Sequence, residues 1–400
     1  MTFFEELKWR GLVKDISSPD LEEKLNNESL TFYWGTDPTA DSLHLGHYSS
    51  LVTAKRLMLH GHKPILLVGG ATGLIGDPRP TAEREIISKE TVEKNIEGLK
   101  RQVTRLLDNK AEVVNNYDWT KNVTFLDFLR DIGKYINVNY MLNKDIISRR
   151  LESGITYAEF SYTLLQGFDF LHLFKNKNCT LQAAGSDQWG NITTGIELIR
   201  KIEGVEAYGF TMPLILDKTG KKFGKSEGNA LWLDKEKTSP YLIYQYLLNS
   251  DDSKVIEYLK VFTFLNKEEI DALEEKVKTE PEKREAQKTL AYEVVKDLHG
   301  VEEAEKAKKT SEEVFTKGYN SEGMPSETIE YKDNMNLMDI LVMTKITTSK
   351  SEARRLIIGN GISVNNEKEL NPERIFTKEE INDLIISKGK KTHIKVNLVK

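Results

Sequence analysis

Residues 30–47 read LTFYWGTDPTADSLHLGH, and their reading decides the fold. The first part, LTFYWGT at 30–36, is rich in β-branched and aromatic residues and predicts a strand. DPTADS is a polar turn, with Asp41 and Ser42 as expected helix caps. From His44 to His60 the apolar positions Leu45, Leu51, Val52, Leu57 and Leu59 predict a helix. A short apolar run, Pro64 to Val68, follows and ends in GGATGLIGDP. Strand, loop, helix, strand is the βαβ pattern of a parallel sheet, whose ligands gather at the carboxyl ends of the strands.

Working outward, residues 123–152 and 156–174 are expected as helices, 180–185 as a strand, and Asp187 to Ile202 as a helix capped near Ser186. A Lys-rich loop occupies 217–229. The chain from 240 to 318 is charge-rich and helical, with Ala286, Leu290, Val294 and Leu298 every four residues. GYNSEGMPSE at 318–327 has no apolar period and reads as a linker. The expected organisation is a Rossmann-like α/β catalytic domain at 1–216, a mobile loop at 217–229 and a helical domain at 230–318. A linker at 319–330 then leads to a small α/β module at 331–400.

Composition sets bounds. The 400 residues are 39% apolar and 30% charged, as in a globular protein of two or three domains. No apolar run approaches the ~18 residues of a membrane span. The start, MTFFEELKWRG, has neither a basic region nor an apolar core, so a cytoplasmic chain is expected. Cys179 is the only cysteine, which excludes an internal disulfide or a thiolate metal site; its context predicts an inert buried strand residue. Net charge is −5, yet residues 331–400 hold 13 Lys and Arg against 9 Asp and Glu. A basic tail on an acidic body is compatible with RNA contact.

Five segments carry chemistry. HLGH at 44–47 has the pattern H-x-G-H, which would arise by chance about 0.008 times in a chain with seven His and 26 Gly. It opens a helix, where free N–H groups and the dipole attract phosphate and imidazole N–H groups add donors. Gly46 allows close approach of a flat base. KKFGKS at 221–226, with Lys218, places four lysines in eight residues among Gly220, Gly224 and Gly228. Such a loop suits a departing polyphosphate, though taken alone it reads as an ordinary solvated basic loop. Tyr162, Gln166 and Asp169, spaced four and three apart, share one face of an otherwise apolar helix. That stripe either lines a pocket for an ammonium or hydroxyl group or forms a structural network. GSDQWGN at 185–191 puts Gly185, Asp187 and Gln188 in a strand-to-helix turn that reaches a ribose or substrate. SKSEARRLI at 349–357 is a helix presenting Lys350, Arg354 and Arg355, for phosphate contact or for solvent.

TDPTADSLHLGH, TGLIGDP, LLQGFDF, GSDQWGNITTG and KFGKS together resemble bacterial tyrosyl-tRNA synthetases in order and spacing, and the C-terminal run resembles an S4-type RNA-binding module. The resemblance covers essentially the whole chain. It implies tyrosine activation with ATP and transfer to tRNA(Tyr) by a cytoplasmic homodimer whose interface lies in 123–160. Mg²⁺ would arrive with ATP, without a protein-bound metal site. It implies that Tyr33 and Asp169 bind the substrate phenol, that Tyr162, Gln166 and Asp77 hold its ammonium, and that Asp37 and Gln188 lie near its carboxylate or the adenylate, with Gln182 also in the tyrosine site. Gly35, Gly46, Gly185 and Asp187 would frame adenosine, with Lys225 also on ATP. Thr39, His44, Lys222, Lys225 and Ser226 would stabilise the α-phosphate transition state and pyrophosphate, with His47 supporting the nucleotide and the helix start. Lys350, Arg354 and Arg355 would touch RNA.

Two positions depart from the family pattern. Trp34 stands where Cys is common, beside the expected ribose. GDPRPTAER is one residue short and lacks its Lys, leaving Arg79 or Arg84 to serve. Tryptophan activation is the alternative within enzymes; Tyr33, Asp169 and the S4-like tail argue against it. An RNA-binding or splicing factor with an inactive site is the alternative of another class, and the intact HLGH and KFGKS segments argue against that.

Overall fold

Thr31–Thr36 forms strand β2, as its β-branched and aromatic residues require. The computed structural model describes residues 1–78, 87–226, 229–316, 326–365, 367–382, 384–389 and 392–399. The chain divides into two compact units: Met1–Asp234 with Lys260–Phe262, and Lys235–Leu259 with Thr263–Lys400.

The first unit is built on a sheet of six strands in the order β1-β6-β5-β2-β3-β4. They are β1 (Asp15–Ile16), β2, β3 (Lys63–Val68), β4 (Glu112–Asn115), β5 (Cys179–Gly185) and β6 (Tyr208–Met212). All pairs are parallel except β1 with β6. β3 and β6 are buried along almost their whole length, as expected for strands covered on both faces. The chain runs outward from β2 through β3 to β4, then returns to β5 on the other side of β2. The strand order therefore reverses between β2 and β5, and ligands bind beyond the carboxyl ends of strands at such a switch point. Tyr33 on β2 lies level with Ile65 on β3 and Gln182 on β5. Cys179 opens β5 fully buried, and burial pushes its thiol far above its ordinary range. Two-residue strands β7 (Lys225–Ser226) and β8 (Asn229–Ala230) form a small hairpin.

Three local expectations are corrected. The helix after β2 spans Leu45–Leu59, but its cap is His44 rather than Asp41 or Ser42. Ser42 instead donates to Leu43 O and accepts from Gln102 Nε2. Residues 123–152 are not one helix: Phe125–Asp131, a 3₁₀ turn at Gly133–Tyr135, Val138–Leu142 and Asp145–Leu151 succeed one another. Asn137 breaks the run because its side chain caps the next piece, accepting from Asn139 N–H. Ser186 caps nothing, because Ser186–Gln188 is a 3₁₀ turn and the helix begins at Trp189.

The second unit holds the helices Pro240–Leu248, Lys267–Thr279, Glu285–His299 and Val301–Thr316. Ala286, Leu290, Val294 and Leu298 are all buried, so the four-residue spacing marks a core face. A five-stranded sheet follows in the order β11-β10-β12-β13-β9. Its strands are β9 (Ser326–Ile329), β10 (Ile362–Val364), β11 (Glu367–Lys368), β12 (Leu384–Lys388) and β13 (Thr392–Leu398). It has a core of its own, including Leu337, Leu341, Ile357, Phe376, Ile386 and Val396.

Candidate active site

At the carboxyl end of β2 the backbone turns into the helix Leu45–Leu59 through the two imidazoles of HLGH. His44 Nδ1 accepts from Gly46 N–H at 3.0 Å, and His47 Nδ1 accepts from His44 N–H at 3.3 Å. The rings stack at 3.9 Å. With both Nδ1 atoms accepting, the proton of each neutral ring sits on Nε2. Two N–H donors are thereby fixed at a helix start, where a phosphate is favoured. A Cβ on Gly46 would come within 2.9 Å of His44 Nδ1, so glycine is required there. Thr39 stands exposed in the turn before it, its N–H bonded to Asp37 O.

A second group of side chains forms one continuous hydrogen-bond chain. Tyr162 OH donates to Asp37 Oδ2 at 2.9 Å, and Thr72 Oγ1 donates to Asp37 Oδ1 at 2.7 Å. Asn116 Nδ2 reaches Thr72 Oγ1 at 3.0 Å and Asp169 Oδ2 at 2.9 Å. Trp119 Nε1 completes Asp169 at Oδ1, also at 2.9 Å. Asp169 is buried, and burial pushes its carboxyl up to about 7 despite these two donors, with Asp37 adding repulsion. Burial, with the nearby Asp37 carboxylate next, also holds the Tyr162 phenol well above its ordinary range.

A third group surrounds Asn191. Its Nδ2 lies 3.1 Å from Gln166 Oε1, 3.1 Å from Gln188 Oε1 and 3.2 Å from Asp77 Oδ1. Gln188 Nε2 donates to Asp77 Oδ2 at 3.0 Å, and Thr163 Oγ1 donates to Asn191 Oδ1 at 2.9 Å. Tyr162, Gln166 and Asp169 all project from the helix Tyr157–Lys177, as their spacing predicts. The fold thus brings Asp37, Tyr162 and Asp169 into one network and Asp77, Gln166 and Gln188 into another.

At this site two buried atoms, Tyr33 OH and Gln182 Oε1, have no hydrogen-bond partner among the described residues. They belong to residues level with each other on adjacent strands. A buried polar atom without a hydrogen bond costs about 1–3 kcal/mol, so a pair of them marks where a ligand completes the structure. The Tyr33 ring packs against Phe170 at 5.4 Å, in an apolar wall that also includes Ile65 and Leu67.

Gly35 is exposed at the end of β2, and Gly185 and Asp187 stand at the end of β5, where a Cβ on Gly185 would meet Asp187 Oδ1. Lys222 is exposed and makes no ion pair among the described residues. The side chains of Lys225 and Ser226, and all of Arg79, Arg84 and Gly228, lie outside the described residues. Trp34 is buried. In the second unit Lys350 pairs with Asp339 at 2.6 Å and Arg354 with Glu373 at 3.1 Å, while Arg355 is exposed without a carboxylate partner among the described residues.

Thr72, Asn116, Trp119 and Asn191 escaped the sequence reading. Asn191 lies inside GSDQWGN, and Thr72 inside GGATGLIGDP. Asn116 and Trp119 follow the short strand β4, whose carboxyl end points to the same switch.

The description "tRNA synthetases class I (W and Y)" matches residues 25–316, and "Tyrosine--tRNA ligase SYY-like C-terminal domain" matches residues 316–396. The chain is similar to Tyrosine--tRNA ligase 1 of Bacillus subtilis (strain 168), 46% identical over 98% of each chain. It is 47% identical to the Tyrosine--tRNA ligase of Bacillus pumilus (strain SAFR-032), again over 98% of each. Among solved structures it resembles a C-terminally truncated Aspergillus nidulans mitochondrial tyrosyl-tRNA synthetase, with a TM-score of 0.70 and 32% identity over 78% of this chain and 94% of that one.

Proposed function

The chain belongs to the tyrosine–tRNA ligase family of the class I tRNA synthetases, and from that premise we propose how its residues divide the family's reaction. The reaction joins L-tyrosine to ATP with release of pyrophosphate, then passes the tyrosyl group to the 3′ end of tRNA(Tyr). The tyrosine carboxylate is ionised at neutral pH, so no strong base is needed. Its oxygen attacks the α-phosphorus, the bond to the bridging oxygen breaks, and pyrophosphate leaves with the electron pair. Catalysis is then alignment plus stabilisation of charge on the phosphates.

The observation that carries the assignment is the unpartnered buried pair Tyr33 OH and Gln182 Oε1 on adjacent strands. Tyr33 and Asp169 take the phenol hydroxyl of the substrate. Asp77, Tyr162 and Gln166 take its ammonium, where carboxylate and amide oxygens converge on Asn191. Asp37 and Gln188 lie toward its carboxylate. His44 and His47 offer Nε2–H to the α-phosphate, with Thr39, Lys222, Lys225 and Ser226 following the charge onto pyrophosphate. Gly35, Gly46, Gly185 and Asp187 frame adenosine. The groups assigned to the phosphates are imidazole, ammonium and hydroxyl donors, so Mg²⁺ would travel on the ATP phosphates and neutralise their charge.

We also assign a homodimer. Phe125, Leu126, Leu129, Val138, Leu151 and Tyr157 are exposed within one stretch of the first unit, Leu126 by 75%. Apolar side chains so concentrated suit a second copy of the chain. The helix Lys350–Ile358 is assigned to tRNA and the chain to the cytoplasm, where its proposed substrates meet; no described helix is long and apolar enough to cross a membrane. ATP–pyrophosphate exchange with each amino acid tests the central claim. Exchange with tyrosine and none with tryptophan is expected; exchange with tryptophan, or with no amino acid, would overturn it.

A further inference from the structure

The start of the KFGKS segment is seated on the HLGH helix by its backbone. Gly224 has φ +88°, and a Cβ there would lie 2.5 Å from Gly46 N. Leu45 N–H donates to Leu231 O at 2.7 Å, and Leu231 N–H donates to Gly224 O at 3.1 Å. Phe223, beside that contact, is buried and stacks on Phe262 at 4.7 Å. Phe262 stacks in turn on Tyr48, at 5.9 Å with the rings 6° from parallel. Tyr48 is the residue after His47.

Phe262 is far from both motifs in sequence. It ends the helix Asp252–Phe262, which begins in the second unit, while its last three residues, Lys260–Phe262, belong to the first. That end is held by two buried arginines. Arg10 Nη1 donates to Lys260 O at 3.0 Å, and Arg56 Nη2 lies 3.5 Å from Lys260 O and 3.4 Å from Val261 O. Guanidinium groups at a helix carboxyl end meet both the unpaired carbonyls and the negative end of the dipole. Glu6, 2.7 Å from Arg10 Nε, holds that side chain in turn.

We propose that Phe262 is a positioning residue for tyrosine activation: clamped by Arg10 and Arg56, its ring is the wedge that holds Phe223, and with it the lysine loop, in register with the HLGH helix. The proposal rests on the catalytic reading of that loop. Its physical basis is that a flat ring between two others fixes the spacing of the elements carrying them, and misplacement of catalytic groups by about 1 Å costs rate steeply.

The test uses the full chain carrying Phe262→Leu, Phe223→Leu or both, with Phe262→Tyr as the conservative control. Three quantities are measured: the single-turnover rate of tyrosyl-adenylate formation, the tyrosine Kd by equilibrium dialysis, and the melting temperature. Phe262→Leu should slow adenylation about tenfold and leave the tyrosine Kd within about twofold. Phe262→Tyr should restore most of the rate. The double variant should be no slower than the slower single, because both remove one contact. Losses that multiply in the double variant, a parental rate in Phe262→Leu, or a rate loss matched by lost tyrosine affinity would each overturn the proposal. If Phe262→Leu fails to fold, Phe262→Met, closer in volume, carries the same comparison. Lys222→Ala separates the two claims. If it leaves adenylation unchanged, the catalytic reading of the loop fails; if it is slow while Phe262→Leu is parental, only the wedge fails.

Discussion

Trp119→Phe keeps a flat ring on His172, which Trp119 stacks at 4.3 Å and 11°, and removes only the Nε1–H that reaches Asp169. Asp169 stands at about 7, raised by burial and pulled back by its donors from Asn116 and Trp119. A hydrogen bond to a charged group contributes about 1.5–3 kcal/mol, and one pKa unit is about 1.4 kcal/mol, so the midpoint should climb by about one to two units. On the proposed assignment, the ionised carboxylate is the form that accepts the substrate's phenol proton. Tyrosine affinity therefore falls as pH drops through the midpoint, and a higher midpoint moves that loss into the neutral range. Near pH 7.5 the ionised fraction would fall from about three quarters to about one tenth, weakening tyrosine binding roughly eightfold. Only toward about pH 10 should the two proteins converge. Equilibrium binding of labelled tyrosine across this range is the assay. Superimposable profiles, or a midpoint that moves to lower pH, would refute the reasoning.

Asp169→Ala should erode preference for tyrosine over phenylalanine far more than ATP affinity; collapse of ATP binding with preference intact would put the phenol site elsewhere. Gly224→Ala adds a Cβ at a positive φ, costing about 1–2 kcal/mol, and drives it into Gly46 N. It should slow adenylation while tyrosine still binds, and a parental single-turnover rate would count against the backbone seat. Deleting residues 331–400 should leave pyrophosphate exchange in place and impair tRNA charging; equal charging by the shortened chain would remove the RNA role of that module.

Much of this was legible because period and punctuation agree with tertiary packing. LTFYWGT could hardly be anything but a strand, and the four-residue spacing from Ala286 to Leu298 does mark a buried face. The stripe of Tyr162, Gln166 and Asp169 was readable because polar groups on a buried helix need partners. The partners were not readable. Asn116, Trp119 and Thr72 come from two other strand ends, and only the sheet order brings them to Asp169 and Asp37. Local competition explains the misplaced boundaries: the Asn137 side chain interrupts a helical pattern, and an imidazole displaces the commoner cap residues Asp41 and Ser42. The Phe223–Phe262–Tyr48 stack joins residues with no sequence signal linking them.

The cap at His44 places two demands on one ring. Its Nδ1 starts the helix, and that same bond fixes which nitrogen carries the outward proton. Stabilising the fold and tuning the chemistry are therefore not separable at this position. His44→Asp would install one of the best helix caps and would set a fixed negative charge where the proposed assignment brings the α-phosphate. An engineer searching for thermal stability would keep that variant; a screen for activity would discard it. The His at this position holds a compromise that a stability score alone would always try to undo.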